Sequence, residues 1–261
     1  MSRWKRRLKA AFGWLIFHTG VYKPFFRNRA LVLVFHRVDD RFEGDPISCT
    51  EAEFDRFCRF IGRFFRVVGL GELLDRIEAG ADLGRLAVIT FDDGYEDNHR
   101  TVRHRLRRYG LPACFFISPG FIGTDRVPWW DAHHAIPTEW MTWDDVRDLH
   151  QDGFEIGAHT LTHIDLGVAS HADAIKEIAG SKARIEAELD TAVTLFSYPF
   201  GGPERITEAS RDIVRRAGFR CCAATFGGAV RPDSDPFRLP RIAMSPWFLS
   251  PYQFGFEVLS D

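Results

Sequence analysis

What the sequence lacks narrows its class first. No acidic residue occurs in the first thirty positions. Cysteine is sparse: Cys49, Cys58, Cys114, Cys221 and Cys222 are odd in number, show no CxxC spacing, and include an adjacent pair, which rarely bonds to itself. A disulfide framework is therefore not expected, and the thiols read as small hydrophobes packed in a reducing compartment. Low-complexity tracts and internal repeats are missing too. What is present is ordinary globular material: 261 residues, 45% apolar and 27% charged, enough chain for one large domain or two small ones.

The net charge of −2 conceals an asymmetry, because residues 1–30 hold eight Lys or Arg and the remainder is acidic. That remainder would repel phosphate, so no nucleic-acid partner is expected. The apolar run at 10–17 is too short to span a membrane, and it makes a poor signal peptide because His18 ends it and no small-residue cleavage site follows. Two readings of this basic amphipathic segment stay open. It is a helix docking on the domain through Trp4, Leu8, Phe12 and Leu15, or an interfacial anchor whose Lys and Arg meet anionic lipid. The expected organisation is a segment over 1–29 followed by a single domain over 30–261. The expected location is cytoplasmic, with peripheral membrane contact through residues 1–29.

From residue 31 onward strand and helix signals alternate. Apolar runs at 31–35, 66–68, 86–91, 113–118, 154–159, 194–198 and 219–225 read as strands. Helical stretches lie near 51–64, where Thr50 and Glu53 form a capping box, and near 70–79, 97–109, 143–152, 171–190 and 204–217. Gly110, Gly153 and Gly218 stand where helices should stop. Repeated βα units with apolar strands predict an α/β fold, a parallel sheet covered by helices and either open or closed into a barrel. In such folds chemistry gathers at the carboxyl ends of the strands. Four strands here end in residues suited to it: His36 after "LVLVF", Asp92 and Asp93 after "LAVITF", His159 after "FEIGA", and "PFGG" after "TLFSY".

The segment "HTLTH" sets His159 and His163 four residues apart, a common metal-ligand spacing. Joined with one carboxylate of "TFDDG", the pair makes three protein ligands with an open position, the pattern of a catalytic metal site. The second carboxylate then has a use as a base beside metal-bound water.

"TFDDG", "HTLTH" and the "YPFG" turn together resemble the polysaccharide deacetylases, carbohydrate esterase family four, with the NodB-homology domain. The resemblance covers roughly residues 30 to 245 and implies a distorted (β/α) barrel. It also implies Asp92 as catalytic base, Asp93, His159 and His163 as ligands of a divalent metal with Zn²⁺ the first expectation, and the Phe200 backbone N–H as an oxyanion donor. The implied substrate is an N-acetylated glycan or polysaccharide, from which the N-acetyl group of an amino sugar is hydrolysed. Three departures stand out, one being that the family's usual Asp/Trp motif is not visible in its expected place. Ser197 occupies the position of the arginine that usually supports the base, with Arg238 or Arg241 as candidate replacements. The late histidine that usually supplies the general acid is missing, whereas "LVLVFHRV" puts His36 after the first strand, similar to the circularly permuted branch of the family. The alternatives are a non-catalytic glycan-binding or membrane-associated protein on the same fold, or a hydrolase of a non-sugar C–N bond. Trp129, Trp130, Trp140 and Trp143, in the insertion at 123–145, are sugar-stacking platforms or a loop's own hydrophobic pin. His133 and His134 beside them have no third ligand nearby and read as surface residues.

Overall fold

The computed structural model describes residues 3–244, 246–248 and 250–259. Helix α1 (Arg3–Thr19) leads into β1 (Ala30–Phe35), and the short strands β2 (Arg37–Val38) and β3 (Ser48–Cys49) pair with each other. Then follow α2 (Glu51–Phe64), β4 (Arg66–Val67), α3 (Leu70–Glu78) and β5 (Leu86–Phe91). A π-helical turn at Asn98–Arg103 runs into α4 (His104–Tyr109), then β6 (Cys114–Ile117), α5 (Trp143–Gln151), β7 (Glu155–Ala158) and α6 (His171–Leu189). The chain continues with β8 (Leu195–Ser197), α7 (Glu208–Arg216), β9 (Cys221–Ala223), β10 (Ile242–Ala243) and α8 (Pro251–Glu257). The capping box at Thr50 and Glu53 forms, and Gly110 ends α4 in the left-handed conformation.

All strands of the main sheet run parallel, in the order β10-β1-β5-β6-β7-β8-β9, with β4 also on β5. The sheet curls into a distorted (β/α) barrel. Its two edges are brought together by the segment from Leu239 to Ala243: Leu239 bridges Ala223 at the end of β9, and Ile242 and Ala243 pair with Leu33 and Val34 of β1. One apolar cluster, including Leu31, Leu33, Phe35, Ile89 and Phe115, packs between sheet and helices. A second fills the inside of the curl with Val32, Val88, Phe116 and Cys221. It is joined by Leu70, Leu73 and Leu74 of α3, whose first N–H groups bind Glu155 at the start of β7, at the amino ends of the strands. That arrangement leaves the carboxyl ends open.

Register then does the positioning. β1 and β5 pair from Ala30 with Leu86 through Phe35 with Phe91, so His36 and Asp92 leave the sheet side by side. All five cysteines are buried and free.

Helix α1 corrects one sequence expectation. It docks on α8, but through Gly13 and Phe17, whereas Trp4, Leu8, Phe12 and Leu15 are exposed. Gly13 is essential to this contact, because a Cβ there would run into the Tyr252 backbone. Phe17 stacks on Tyr22 and meets Phe60 and Phe64 of α2.

Candidate active site

The residues singled out in the sequence converge on one cleft of about 450 Å³ at the carboxyl ends of the strands. Its lining includes His36, Asp92, Asp93, His159, His163 and Phe200. The backbone reaches this geometry at a cost. Asp93, Thr160, His163 and Phe200 all have positive φ, at 77°, 59°, 58° and 62°, a region that costs a non-glycine residue about 1–3 kcal/mol. Three of the four, Asp93, His163 and Phe200, line the cleft and Thr160 follows His159, which marks a site that the surrounding structure holds in place.

Asp93, His159 and His163 present ligand atoms within 4.8 Å of one another, and all three side chains are buried. Nε2 of His159 and of His163 lie 3.4 and 3.3 Å from Asp93 Oδ1. Among the described residues that oxygen has no hydrogen-bond partner of good geometry, an expensive condition for a buried carboxylate unless a cation completes it. Behind the ligands sits their support. Nδ1–H of His159 donates to the Ser197 carbonyl at 2.9 Å, which fixes the tautomer and turns the Nε2 lone pair into the cleft. The "HTLTH" loop is anchored by Glu177 of α6, whose carboxylate accepts from the Thr162 N–H and hydroxyl, each at 2.7 Å. Burial pushes the Asp93 carboxyl up, but the imidazoles of His163 and His159 outweigh it and hold the group well below the usual carboxylate range. The donor set, two imidazole nitrogens and a carboxylate oxygen around an orphaned atom, fits a divalent metal.

Asp92 belongs to a different network. Arg241, fully buried, donates Nη1 to its Oδ1 at 2.8 Å and Nη2 to its Oδ2 at 2.6 Å. The same guanidinium binds the Thr90 hydroxyl at 3.0 Å, the Ser197 hydroxyl at 2.7 Å and the Ala224 carbonyl at 2.6 Å. Burial pushes Asp92 up, yet Arg241 and then His159 more than offset it, so the carboxyl stays below its ordinary value. Ser197, standing where the family has its arginine, thus keeps a share of that contact by donating to Asp92 at 3.3 Å. Arg238 is not part of the site and lies over the Phe226 ring.

His36 lines the cleft from the end of β1, next to the two aspartates. Burial lowers its affinity for a proton, and the opposing pull of Asp93 and Asp92 does not make up the difference. Phe200 sits in the tight turn after β8, where Gly201 approaches Thr225 too closely to admit a Cβ. The Phe200 N–H has no partner among the described residues, and its ring packs edge-on against His163.

The tryptophan loop divides. Trp140 is a pin, stacked between Tyr95 and Phe121. Trp130 leans on His163 with ring centroids 4.4 Å apart, and Trp129, 74% exposed, forms the rim. Between them and the barrel lies a buried pair missed in the sequence, Arg37 with Asp131 at 2.6 Å, to which Tyr95 and Thr138 also donate. His133 is exposed as expected, but a third group does stand near the pair: Asp45, remote in sequence, comes within ligand distance of His133 and His134, and its Oδ2 lies 3.1 Å from His134 Nε2.

The family model for polysaccharide deacetylase matches residues 80–222, more than half of the chain. The chain belongs to the polysaccharide deacetylase family. Members of this family are hydrolases acting on C–N bonds of acetylated sugars. Among curated polysaccharide deacetylase relatives, YxkH of Bacillus subtilis (strain 168) is 28% identical over 162 residues, and the chain spans only 52% of its length. The poly-β-1,6-N-acetyl-D-glucosamine N-deacetylase of Staphylococcus aureus (strain MSSA476) is 22% identical over 241 residues, covering 84% of this chain and 79% of that protein. Solved structures share the deacetylase fold. IcaB from Ammonifex degensii aligns with a TM-score of 0.74 at 21% identity, over 90% of this chain and 98% of that one. The Streptococcus pyogenes deacetylase PplD, in complex with acetate, aligns with a TM-score of 0.73 at 18% identity, over 87% and 96%.

Proposed function

We propose that this protein is a metal-dependent deacetylase that removes the N-acetyl group from an amino sugar in a polysaccharide or other glycan. The observation that carries the reading is the separation of two adjacent carboxylates into two environments. Asp93 faces two imidazoles, whereas Asp92 is clasped by Arg241. Asp93, His159 and His163 would hold a divalent metal, with zinc preferred for its affinity for two nitrogens and an oxygen, and such an ion supplies Lewis-acid polarisation and an acidified water.

The chain's own residues do the rest. Asp92, kept ionised by Arg241, accepts the proton of the attacking water. The Phe200 N–H, free of other partners among the described residues, donates to the oxygen that gains charge at the acetyl carbon. His36 protonates the leaving amine, in the arrangement of the permuted branch. Trp129 and Trp130 offer aromatic faces to a sugar ring at the rim. The rival reading, a glycan-binding protein without activity, rests on the missing arginine and the missing Asp/Trp motif; against it, Arg241, just before the last strand, supplies the arginine contact. A non-sugar amide is disfavoured by the aromatic rim.

The test is acetate release from chitooligosaccharide, poly-N-acetylglucosamine and lipid-linked amino-sugar substrates, with and without added zinc. Zinc-stimulated release from at least one of them is expected. Tight glycan binding with no release from any would favour the binding protein.

A further inference from the structure

Seven of the thirteen large hydrophobic side chains that are exposed among the described residues lie between Trp4 and Phe25. Five of them are on α1, and the helix geometry explains why. Positions 6, 10, 13 and 17 follow the three-and-four spacing of one face, and this face is turned to the domain: Gly13 and Phe17 are buried against α8, and Arg6 lies on the Trp247 ring. Positions 4, 8, 11 and 15 repeat the same spacing on the opposite side. They carry Trp4, Leu8, Ala11 and Leu15, of which Trp4 is 59%, Leu8 47% and Leu15 52% exposed. Arg3 and Arg7 run along one border of this stripe, and Lys5 with Phe12 along the other. All three cations are exposed, and none has an acidic partner among the described residues.

We infer that this outer face of α1 seats the protein on an anionic lipid surface, with the helix lying in the plane of the interface. The stripe is apolar, headed by a tryptophan and bordered by cations, the composition of interfacial helices. Long Lys and Arg stems let the apolar face sink while their charges stay at headgroup level. No described helix is long and apolar enough to cross a membrane, so the contact is to one leaflet. A second copy of the chain is a poor occupant. In a twofold contact each copy would meet the other through this same face, and with no acidic residue before Asp39 the face offers nothing to pair the cations of its partner. The rigid seat on α8 means that the face is presented already folded, without the entropic cost that an unstructured anchor bears on binding.

Sedimentation of the full-length protein with vesicles tests this, comparing phosphatidylcholine alone with phosphatidylcholine containing about one-third phosphatidylglycerol. Binding is expected only to the anionic vesicles, and it should weaken as salt rises. Replacing Arg3, Lys5 and Arg7 together by Gln should weaken it roughly 100-fold, taking about 1 kcal/mol per cation near the surface and tenfold per 1.4 kcal/mol. Trp4→Ser, Leu8→Ser and Leu15→Ser together should abolish it with the thermal midpoint unchanged, since these side chains touch solvent. Should that variant lose helix, the Gln variant decides alone. Equal binding to neutral vesicles, no binding to either, or undiminished binding by the Gln variant would overturn the inference. So would a dimer in sedimentation velocity that disappears in the Ser variant.

Discussion

Arg241 holds both carboxylate oxygens of Asp92, at 2.8 and 2.6 Å, from 149 residues further along the chain. Both groups are buried, and the guanidinium has no donor left over for solvent. The pair is therefore an all-or-nothing contact: removing one partner strands a charge in the interior.

Arg241→Gln should destabilise the protein by about 3–5 kcal/mol, the usual cost of breaking a buried pair from one side. Its kinetic signature is more informative. Arg241 keeps Asp92 below the ordinary carboxylate range against the opposing effect of burial, so without it the carboxyl rises. The acid limb of the pH profile of kcat/KM should move to higher pH. Arg241→Lys, which keeps the charge but not the fork, should move it back part of the way. A limb that stays put in the Gln variant would mean that it reports another group.

Adjacent aspartates should separate cleanly in metal content. Asp92→Asn is expected to retain about one equivalent of divalent metal while losing hydrolysis by roughly three orders of magnitude or more. Asp93→Asn, His159→Ala and His163→Ala should each lose the ion, as read by elemental analysis of protein purified without chelator. His133→Ala serves as the control for the cluster around Asp45, and one equivalent should remain. Loss of the ion in the Asp92 variant with retention in the Asp93 variant would exchange the two roles.

His36→Ala distinguishes acid catalysis from positioning. An amide needs its departing nitrogen protonated, whereas an activated acetyl ester does not. The variant should therefore depress turnover of the amide far more than that of the ester, with metal content unchanged. Equal losses on both substrates would make His36 a positioning residue, and no loss on either would put the acid elsewhere.

Asp97 offers a test of stability. It is buried at the π-helical turn, where burial pushes its carboxyl up to about 7 despite hydrogen bonds from the Val38 N–H at 2.7 Å and the Asn98 amide at 3.1 Å. The folded state thus keeps a proton that the unfolded chain, with its carboxyl near ~3.9, has already released. Stability should fall as pH rises between those two values and level off above about 7. Asp97→Asn keeps an acceptor for both donors and removes the charge, so it should raise stability above neutrality by up to about 4 kcal/mol, at 1.36 kcal/mol per pKa unit. Chemical denaturation at pH 5 and pH 8.5 measures it; a gain of the same size at both would contradict the shifted carboxyl.

Much of this was legible in the chain because the barrel strands and the site obey short-range rules. "LAVITFDDG" reads directly, since a buried strand ending in two carboxylates has few other uses, and "HTLTH" carries its spacing within five residues. The supports were not legible. Glu177 looks like any helix-face acid until the fold brings it under Thr162. Arg37 looks like a surface cation beside a strand, and only the tryptophan loop folding back gives it Asp131. The face of α1 was misjudged for a related reason. A helix with apolar residues on more than one side does not announce which side docks, and here a glycine, the residue with the least hydrophobic surface, marks the buried one. Strands as short as Ile242–Ala243 fall below any periodicity, so the choice between Arg238 and Arg241 needed the barrel itself.

The segment from Leu239 to Ala243, which joins the two edges of the curled sheet, also imposes an order of events during folding. Every ligand of the candidate metal site is in the chain by residue 163, and strands β1 to β7 suffice to gather them. The arginine that clasps Asp92 arrives only with the last strand and the winding of the barrel. If Asp93, His159 and His163 hold a metal as proposed, a partly folded chain would gather those three ligands before Asp92 gains its arginine. In the proposed mechanism, competence for hydrolysis would then wait on the closing of the barrel.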